Sequence, residues 1–95
     1  MIKRIVELTF QPDRIDDFLA AFNESKSFIR GFPGCHSMEL LRCIQPDNVF
    51  FTYSIWDDEA ALDAYRRSEL FRSTWSRTKP LFADSPQAWS TVEWE

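Results

Sequence analysis

The chain has 95 residues, the length of one compact domain, and is too short for an eight-stranded β/α barrel or a nucleotide-binding domain with a second catalytic domain. Its formal net charge of −4 argues against a nucleic-acid-binding surface, because such surfaces need clustered positive charge. Aromatic residues make up 16% of the sequence, and so small a domain has little interior in which to bury them. We therefore predict one domain over residues 1–95 and expect a further surface to cover part of its aromatic side chains.

The first part of the sequence predicts a strand, a helix and a second strand. Residues 2–10 are rich in β-branched side chains, which favour a strand. A helix is predicted from Pro12, which a first helical turn tolerates, to about residue 30, because apolar side chains recur at helical spacing. We expect Gly31 to end this helix, and a second strand to follow over residues 35–44.

The middle of the sequence predicts a hairpin followed by a helix. A turn at Pro46 separates the second strand from residues 49–56, the segment richest in strand-forming residues. Asp57 comes directly after this strand and is predicted to cap the N-terminus of a helix over residues 58–67.

The last part of the sequence predicts a further helix and a fourth strand. Ser68 is placed to cap a helix over residues 69–79, and a strand is predicted over residues 88–94. The element order is therefore β-α-β-β-α-β, with the second helix divided in two. This order is typical of an α+β, ferredoxin-like fold, in which a four-stranded antiparallel sheet carries its helices on one face.

The third predicted strand places apolar side chains on both faces of that sheet. Because side chains alternate along a strand, one face carries Val49, Phe51, Tyr53 and Ile55. The other face carries Phe50, Thr52, Ser54 and Trp56. The helices can cover only one face, and leaving the other in water forgoes several kcal/mol, against a whole-domain stability of about 5–15 kcal/mol. We therefore expect a two-fold homodimer that packs sheet against sheet through the face bearing Val49.

Four segments resemble the antibiotic biosynthesis monooxygenase (ABM) family, and the likeness spans essentially the whole chain in matching element order. They are PGC at 33–35, MELLR at 38–42, FFTYSIW at 50–56 and EAALDAYRRSELF at 59–71. The resemblance implies a dimeric α+β barrel with a ligand cleft in each subunit between the sheet and its helices. It also implies that the cleft is lined by Phe50, Thr52, Ser54 and Trp56. The family includes cofactor-independent monooxygenases of aromatic polyketides, haem-degrading enzymes and proteins that process small aldehydes.

Several positions depart from the patterns of that family. Many relatives have a Glu where this chain has Ser54, and the polyketide oxygenases have an Asn where it has Thr52. A His that many relatives carry on the following helix is replaced by Tyr65. The iron-binding His of the haem-degrading members would align near Trp75. The resemblance therefore implies neither haem nor another cofactor.

Two residues are candidates for proton transfer. His36 is the only histidine, and an imidazole pKa of about 6.5 suits the removal of a phenolic or enolic proton. Its alternative role is that of a partly exposed residue at a strand start, and no carboxylate is identified to orient it. The hydroxyl of Tyr65 can donate a hydrogen bond to a ligand carbonyl, or Tyr65 can serve only in helix packing. No metal site is predicted, because Cys35, His36 and Cys43 show none of the usual ligand spacings.

The first functional hypothesis is a cofactor-independent monooxygenase for a small aromatic or enolisable molecule. Tyr65 and His36 are its catalytic candidates, and the side chains expected to bind the substrate are Trp56, Thr52, Ser54 and Phe50. Two alternatives stay open at this point. One is an isomerase or degrading enzyme for a small carbonyl compound, and the other is a small-molecule-binding or accessory protein without catalytic activity.

The sequence also predicts the surroundings of the protein. It contains no apolar run long enough for a membrane span and no segment typical of a signal peptide, so we expect no membrane partner. Cys35 and Cys43 are too far apart along one extended strand to form a disulfide and are interpreted as free thiols. A cytoplasmic homodimer that binds a small molecule, with no nucleic-acid partner, is the resulting expectation.

Overall fold

A computed structural model describes all residues, 1–95, and its elements follow the predicted order. They are β1 (Ile2–Thr9), α1 (Ile15–Arg30), β2 (Cys35–Arg42), β3 (Val49–Trp56), α2 (Glu59–Arg66), α3 (Glu69–Thr78) and β4 (Gln87–Val92). Two short 3₁₀ turns, Pro12–Arg14 and Lys79–Leu81, precede α1 and follow α3. None of the helices combines the length and the apolar character needed to cross a bilayer.

The four strands form one antiparallel sheet in the order β2-β3-β1-β4. The two central strands, β1 and β3, are adjacent although a helix and a hairpin strand separate them in sequence, which is the split arrangement of a ferredoxin-like fold. The predicted α+β, ferredoxin-like fold is therefore confirmed. We call the face of the sheet that carries the helices the inner face and the opposite one the outer face.

Three predicted strand boundaries are too long by one or two residues. β1 ends at Thr9, because Phe10 leaves the ladder and pairs singly with Phe82. β2 ends at Arg42 instead of residue 44, where the chain turns out into solvent and leaves Ile44 98% exposed. β4 spans Gln87–Val92 instead of residues 88–94, because Val92 is paired with Ile2 and β1 offers no partner beyond that point.

The helix starts also differ from the prediction. Pro12 opens a 3₁₀ turn, and the α-helix itself begins only at Ile15. The cap of α2 is Asp58 and not Asp57, since the Asp58 carboxylate accepts the hydrogen bond from the backbone N–H of Ala61. The cap of α3 is Ser68, as predicted, and its hydroxyl accepts from the backbone N–H of Phe71.

The turn before β2 depends on Gly34. This residue has a φ of +88°, a backbone conformation that other residues rarely adopt. A Cβ atom added at Gly34 would lie 2.5 Å from the Cβ of Ala61, so α2 approaches the turn too closely for any side chain. The carbonyl of Gly34 accepts a hydrogen bond of 2.9 Å from the backbone N–H of Asp57, which brings the start of β2 beside the end of β3.

One end of the layer between sheet and helices is filled with aromatic and aliphatic side chains. We call it the closed cluster, and its buried members are Leu8, Phe10, Phe18, Phe50 and Leu81. Phe10 is fully buried, and its ring stacks on that of Phe18 with 4.1 Å between the centroids. This cluster fixes α1 against β1 and β3 and so sets the distance between the helices and the sheet.

Candidate functional site

A cavity lies at the other end of that layer, between the inner face of the sheet and all three helices. The space open to the centres of water molecules is about 130 Å³, and most of the side chains that line it are hydrophobic. An apolar cavity of about 150 Å³ is large enough to bind benzene. The cavity therefore has the size and the lining for a molecule with one aromatic ring.

Four rings form one side of the cavity, and we call them the aromatic wall: Trp56, Tyr65, Phe71 and Trp75. The Trp56 and Tyr65 rings are stacked, with centroids 5.0 Å apart. The edge of Tyr65 meets Phe71 at 5.3 Å, and Phe71 stacks on Trp75 at 5.8 Å. Strand β3 supplies the first ring and helices α2 and α3 supply the others, so the wall forms only when these elements pack together.

Short hydroxyl side chains face the cavity where a packed core would place large apolar ones: Ser25, Thr52, Ser54, Thr74 and Thr78. Three of them are engaged within the protein. The Ser25 hydroxyl donates to the carbonyl of Ala21 and that of Thr78 to the carbonyl of Thr74, while the Ser54 oxygen accepts from the indole N–H of Trp56 at 2.9 Å. Each of these three oxygen atoms thus has at least one hydrogen-bond partner within the protein.

The hydroxyl groups of Thr52, Tyr65 and Thr74 also line the cavity, and none of the hydrogen bonds within the protein uses them. Burial, with a smaller contribution from Cys35, raises the pKa of Tyr65 to about 12. Tyr65 is therefore protonated at neutral pH and acts as a hydrogen-bond donor, not as a base. Each of these three groups is therefore free to form a hydrogen bond with a ligand in the cavity.

Two arginines border the cavity near its β1 and α2 side. Arg4 lies on the inner face of β1 and donates a hydrogen bond of 2.9 Å to the hydroxyl of Ser90 on the neighbouring strand. Burial, and next the positive charge of Arg66, lower the pKa of Arg4. The ion pairs of the structure include neither arginine.

The only histidine lies outside this cavity. His36 Nε2 forms a hydrogen-bonded ion pair with Asp57 Oδ1, and the two side chains are 45% and 53% exposed. Asp57 is the carboxylate partner that the sequence analysis did not identify. His36 is the extra residue of the β-bulge next to the Cys35–Trp56 pair, and Asp57 directly follows Trp56, so the two residues flank that pair.

The residues expected to bind the substrate fall into two groups. Thr52, Ser54 and Trp56 line the cavity together with Tyr65, whereas Phe50 belongs to the closed cluster. Phe71 and Trp75 also lie in the cavity wall, although they are not among the residues predicted to bind the substrate. The sequence pattern does not identify Arg4 as a site residue, because the alternation of side chains along β1 does not show that Arg66 of α2 lies nearby.

The chain is a small ferredoxin-like domain with an apolar, aromatic-walled cavity between its sheet and its helices. The model of the family "antibiotic biosynthesis monooxygenase" matches residues 1–75, and the chain belongs to that family. Proteins of this family are typically homodimers that bind small molecules.

Solved structures with low sequence identity share the fold. An antibiotic biosynthesis monooxygenase is 22% identical with a TM-score of 0.92, covering 98% of each chain. A Mycobacterium tuberculosis protein is 16% identical with a TM-score of 0.91, covering 99% of this chain and 95% of its own. A Methanosarcina mazei protein is 14% identical with a TM-score of 0.90, covering 95% and 89% respectively. At these identities the likeness establishes the fold alone.

A Natronomonas pharaonis protein named "putative heme-binding protein" is 30% identical over 79 residues, which is 83% of this chain. The chain spans only 13% of the length of that relative. The cavity described above does not fit haem, because His36 lies outside it and the raised pKa of Tyr65 disfavours a phenolate ligand. No three His, Cys, Asp or Glu side chains are grouped closely enough to hold a metal ion.

Proposed function

We propose that this protein is a homodimeric monooxygenase that oxygenates a small aromatic or enolisable molecule in the cavity, using O₂ and no cofactor. Membership of the ABM family and the one-ring, aromatic-walled cavity support this proposal. The observation that carries it is the protonated Tyr65 hydroxyl, which has no partner within the protein, at a cavity that the Thr52 side chain also lines. These two donors suit an oxyanion that develops on a ring held against the wall.

A one-ring quinol illustrates the chemistry. The quinol loses a phenolic proton to water, and its anion transfers one electron to O₂, which gives a semiquinone and superoxide. These combine to form a C–O bond at a ring carbon, and the peroxide takes up a proton. Cleavage of the O–O bond with loss of the hydrogen on that carbon releases water and leaves a hydroxyquinone. One oxygen atom of O₂ stays in the product and the other leaves as water.

The side chains around the cavity contribute positioning and stabilisation of charge. Stacking on the aromatic wall holds the ring in one orientation and keeps water away from the anion. Hydrogen bonds from Tyr65 and Thr52 to the quinol oxygen lower the energy of the anion before it meets O₂. Removing one such donor from an enzyme typically costs about 10²–10³ in kcat.

Oxygen uptake with benzene-1,4-diol tests the proposal. We expect the protein to accelerate uptake, to incorporate one atom of ¹⁸O₂ into the hydroxyquinone, and to be insensitive to chelators. Tyr65→Phe should reduce kcat by about 10², whereas Tyr53→Phe, which changes the only other tyrosine and lies on the outer face, should leave it unchanged. Equal rates for wild type and Tyr65→Phe would contradict the role of Tyr65, and absence of uptake would contradict the activity.

His36 needs a separate test, because it is the other candidate for proton transfer and lies outside the cavity. His36→Ala removes the imidazole and leaves the cavity lining intact. If its uptake rate equals that of the wild type, proton removal does not depend on this residue.

A small-molecule-binding protein is the second candidate function. It is favoured by one observation, that the groups facing the cavity include no general base that is free at neutral pH. Binding of benzene-1,4-diol without O₂ consumption or any product would support it. Turnover without O₂ consumption would instead indicate a different class of enzyme.

We further propose that the homodimer forms through the outer face of β3. Phe51 and Tyr53 on that face are only half-buried in one chain. On the same face, Leu41 opposite Phe51 is 49% exposed, and Trp89, which β1 separates from β3, is 46% exposed. Val49 and Ile55 extend the same apolar strip along β3. A surface of this kind is typical of an interface between subunits.

Sedimentation at low micromolar concentration tests the interface. We expect a dimer for the wild type and a monomer for Phe51→Asp, because a carboxylate at the centre of the strip would be buried without a partner. Phe28→Asp is the matched control, since Phe28 is 67% exposed on α1 and lies away from the sheet. A folded wild-type monomer would contradict the proposal.

The two cysteines bear on where the protein works. Cys35 and Cys43 are half-buried free thiols, and burial raises the pKa of Cys35. Free thiols of this kind persist in reducing compartments, so we propose a cytoplasmic location. Labelling of both thiols in protein taken directly from cells without reductant would support it, and recovery in an oxidised form would contradict it.

A further inference from the structure

The cavity has an uneven distribution of charge. Its aromatic wall is neutral, whereas Arg4 and Arg66 both border it and belong to elements far apart in sequence, β1 and the last turn of α2. Neither arginine forms an ion pair with a carboxylate, although six ion pairs occur elsewhere in the structure. Two guanidinium groups therefore face one site without a counter-charge from the protein.

The surroundings of Arg4 make this arrangement costly for the protein alone. Arg4 is partly withdrawn from water and lies near enough to Arg66 for the second positive charge to lower its pKa. The nearest acidic side chains do not neutralise the pair, because Asp63 is bound to Arg67 at 3.0 Å and Glu59 forms no ion pair. An anion bound between the two arginines would offset the repulsion between their charges and would compensate Arg4 for its lost contact with water.

Neighbouring hydroxyl groups favour the same ligand chemistry. The register places Ser54 and Ser90 on either side of Arg4 across the inner face of the sheet. The Ser54 oxygen already accepts a hydrogen bond from Trp56, so its own O–H is free to donate. The Ser54 hydroxyl and the two guanidinium groups, whose residues line this apolar cavity, match the oxygen atoms of a carboxylate.

We propose that the ligand of this cavity is an aromatic carboxylate, whose ring lies against the aromatic wall and whose carboxylate is bound by Arg4 and Arg66. The proposal rests on the cavity being the substrate site, as proposed above, and adds the charge of the substrate to it. Arg66 is exposed and stands where the cavity meets solvent, so it is placed to bind the anion on entry. Arg4 lies deeper and is placed to bind it in the final position.

Equilibrium binding of three one-ring probes without O₂ tests the charge preference. The probes are 2,5-dihydroxybenzoate, its neutral amide 2,5-dihydroxybenzamide, and benzene-1,4-diol, which has the same ring without either group. We expect the carboxylate to bind at least about tenfold more tightly than the amide, because charge-assisted hydrogen bonds are about twice as strong as neutral ones. The preference should also shrink as the salt concentration rises.

Charge-removing variants show whether the two arginines cause this preference. Arg66→Gln should weaken binding of the carboxylate about tenfold and leave binding of the amide unchanged, and Arg4→Gln should do the same. Arg67→Gln is the matched control, because it removes an equal charge one residue away from a side chain that does not line the cavity. Arg66→Lys, which keeps the charge, should restore part of the preference.

The outcomes separate this proposal from the proposed function. If the amide and the diol bind as tightly as the carboxylate and the diol is oxygenated, the charge preference is wrong and the function stands. If the carboxylate is preferred through both arginines but no probe is oxygenated, the preference stands and the function is wrong. A preference that survives in both Gln variants, or no binding of any probe, overturns the proposal. Because Arg4 is partly buried, circular dichroism must show that Arg4→Gln is folded. Arg66 is exposed, so Arg66→Gln tests the charge preference independently of folding.

Discussion

Both ends of the layer between the sheet and the helices are rich in aromatic side chains, which fill the space at one end and surround a cavity at the other. At the closed cluster, Phe10 is fully buried and has neighbouring rings at 4.1 Å and 5.2 Å. At the cavity end, Trp56 is buried as completely, but the rings that follow it line a space instead of filling one. Aromatic content alone therefore does not decide whether a region of this protein is core or binding site.

The difference comes from the side chains opposite the rings. Along the inner face of β3, Phe50 at the closed end is followed by Thr52 and Ser54 at the cavity end. Along α1, Phe18 is succeeded two turns later by Ser25. Short hydroxyl side chains occupy less volume than phenylalanine, so a space remains, and the oxygen atoms of Ser25 and Ser54 find partners in nearby backbone and in the Trp56 indole.

The largest expected effect is at the closed cluster. Phe10→Ala removes the most buried ring and should lower the free energy of unfolding by about 3–5 kcal/mol, measured by urea denaturation. Phe28→Ala is the control, because an exposed phenylalanine should change stability by no more than about 0.5 kcal/mol. If Phe10→Ala lowers the free energy of unfolding by less than about 1.5 kcal/mol, the closed cluster tolerates an empty space as the cavity end does.

The next effect is at the cavity end and depends on pH. Burial raises the pKa of Tyr65 to about 12 in the folded state, against 10 for an exposed tyrosine. Above pH 10 the unfolded chain loses this proton and the folded chain keeps it, so stability is full below pH 10 and falls as the pH rises toward 12. We expect a loss of about 1.4 kcal/mol between pH 9 and pH 11 from this group.

Tyr65→Phe isolates that contribution. The variant should lack this part of the loss of stability at alkaline pH, whereas Tyr53→Phe should retain it. In the Tyr53→Phe protein the ultraviolet absorbance of the phenolate reports Tyr65 alone, because the chain has two tyrosines. Ionisation near pH 10 in that protein would mean that the cavity end is open to water, and the contrast between the two ends would be smaller than the structure shows.

The sheet and its helices could be predicted because their signals are local. Alternation along residues 49–56 assigned Phe51 and Thr52 to opposite faces, and Ser68 was recognised as a helix cap from its position alone. The predicted boundaries differ from the observed ones where tertiary pairing decides them. β4 ends at Val92 because β1 has no further residue to pair with it, a limit that no property of β4 itself reveals.

The site was only partly predictable because its members meet through packing. Thr52, Ser54 and Trp56 share one strand face, and the alternation of that strand was enough to group them. Arg4 and Arg66 come together only because α2 packs against the sheet next to β3. Asp57 was interpreted as a helix cap. An aspartate that follows a strand can cap the next helix or pair with a histidine, and the sequence pattern is the same in both cases.

A smaller effect concerns the helix that carries half of the aromatic wall. The Ser68 hydroxyl accepts from the N–H of Phe71 at 3.1 Å and donates to the carbonyl of Tyr65 at 2.6 Å, so it joins α3 to the end of α2. Ser68→Ala should cost about 1 kcal/mol. Hydrogen exchange should accelerate in α3 more than in β1, and Ser73→Ala, an exposed mid-helix change, should leave exchange unaltered. Equal acceleration in both elements would mean that the two ends of the layer open together.

The smallest expected change in stability comes from a substitution that makes the cavity end more like the closed cluster. Thr52→Leu extends the apolar run of Phe50 by one inner position. It should raise the free energy of unfolding by about 0.8 kcal/mol, the value of one buried methylene, because the side chain gains one heavy atom and becomes wholly apolar. The same change should weaken binding of benzene-1,4-diol about tenfold, because the side chain takes the place of the ligand and removes a hydroxyl donor. Thr52→Val separates these causes, since it removes the hydroxyl and keeps the volume. If Thr52→Leu lowers stability and leaves binding intact, the space beside Thr52 is not where the ligand lies, and the short side chains along the inner face serve packing alone.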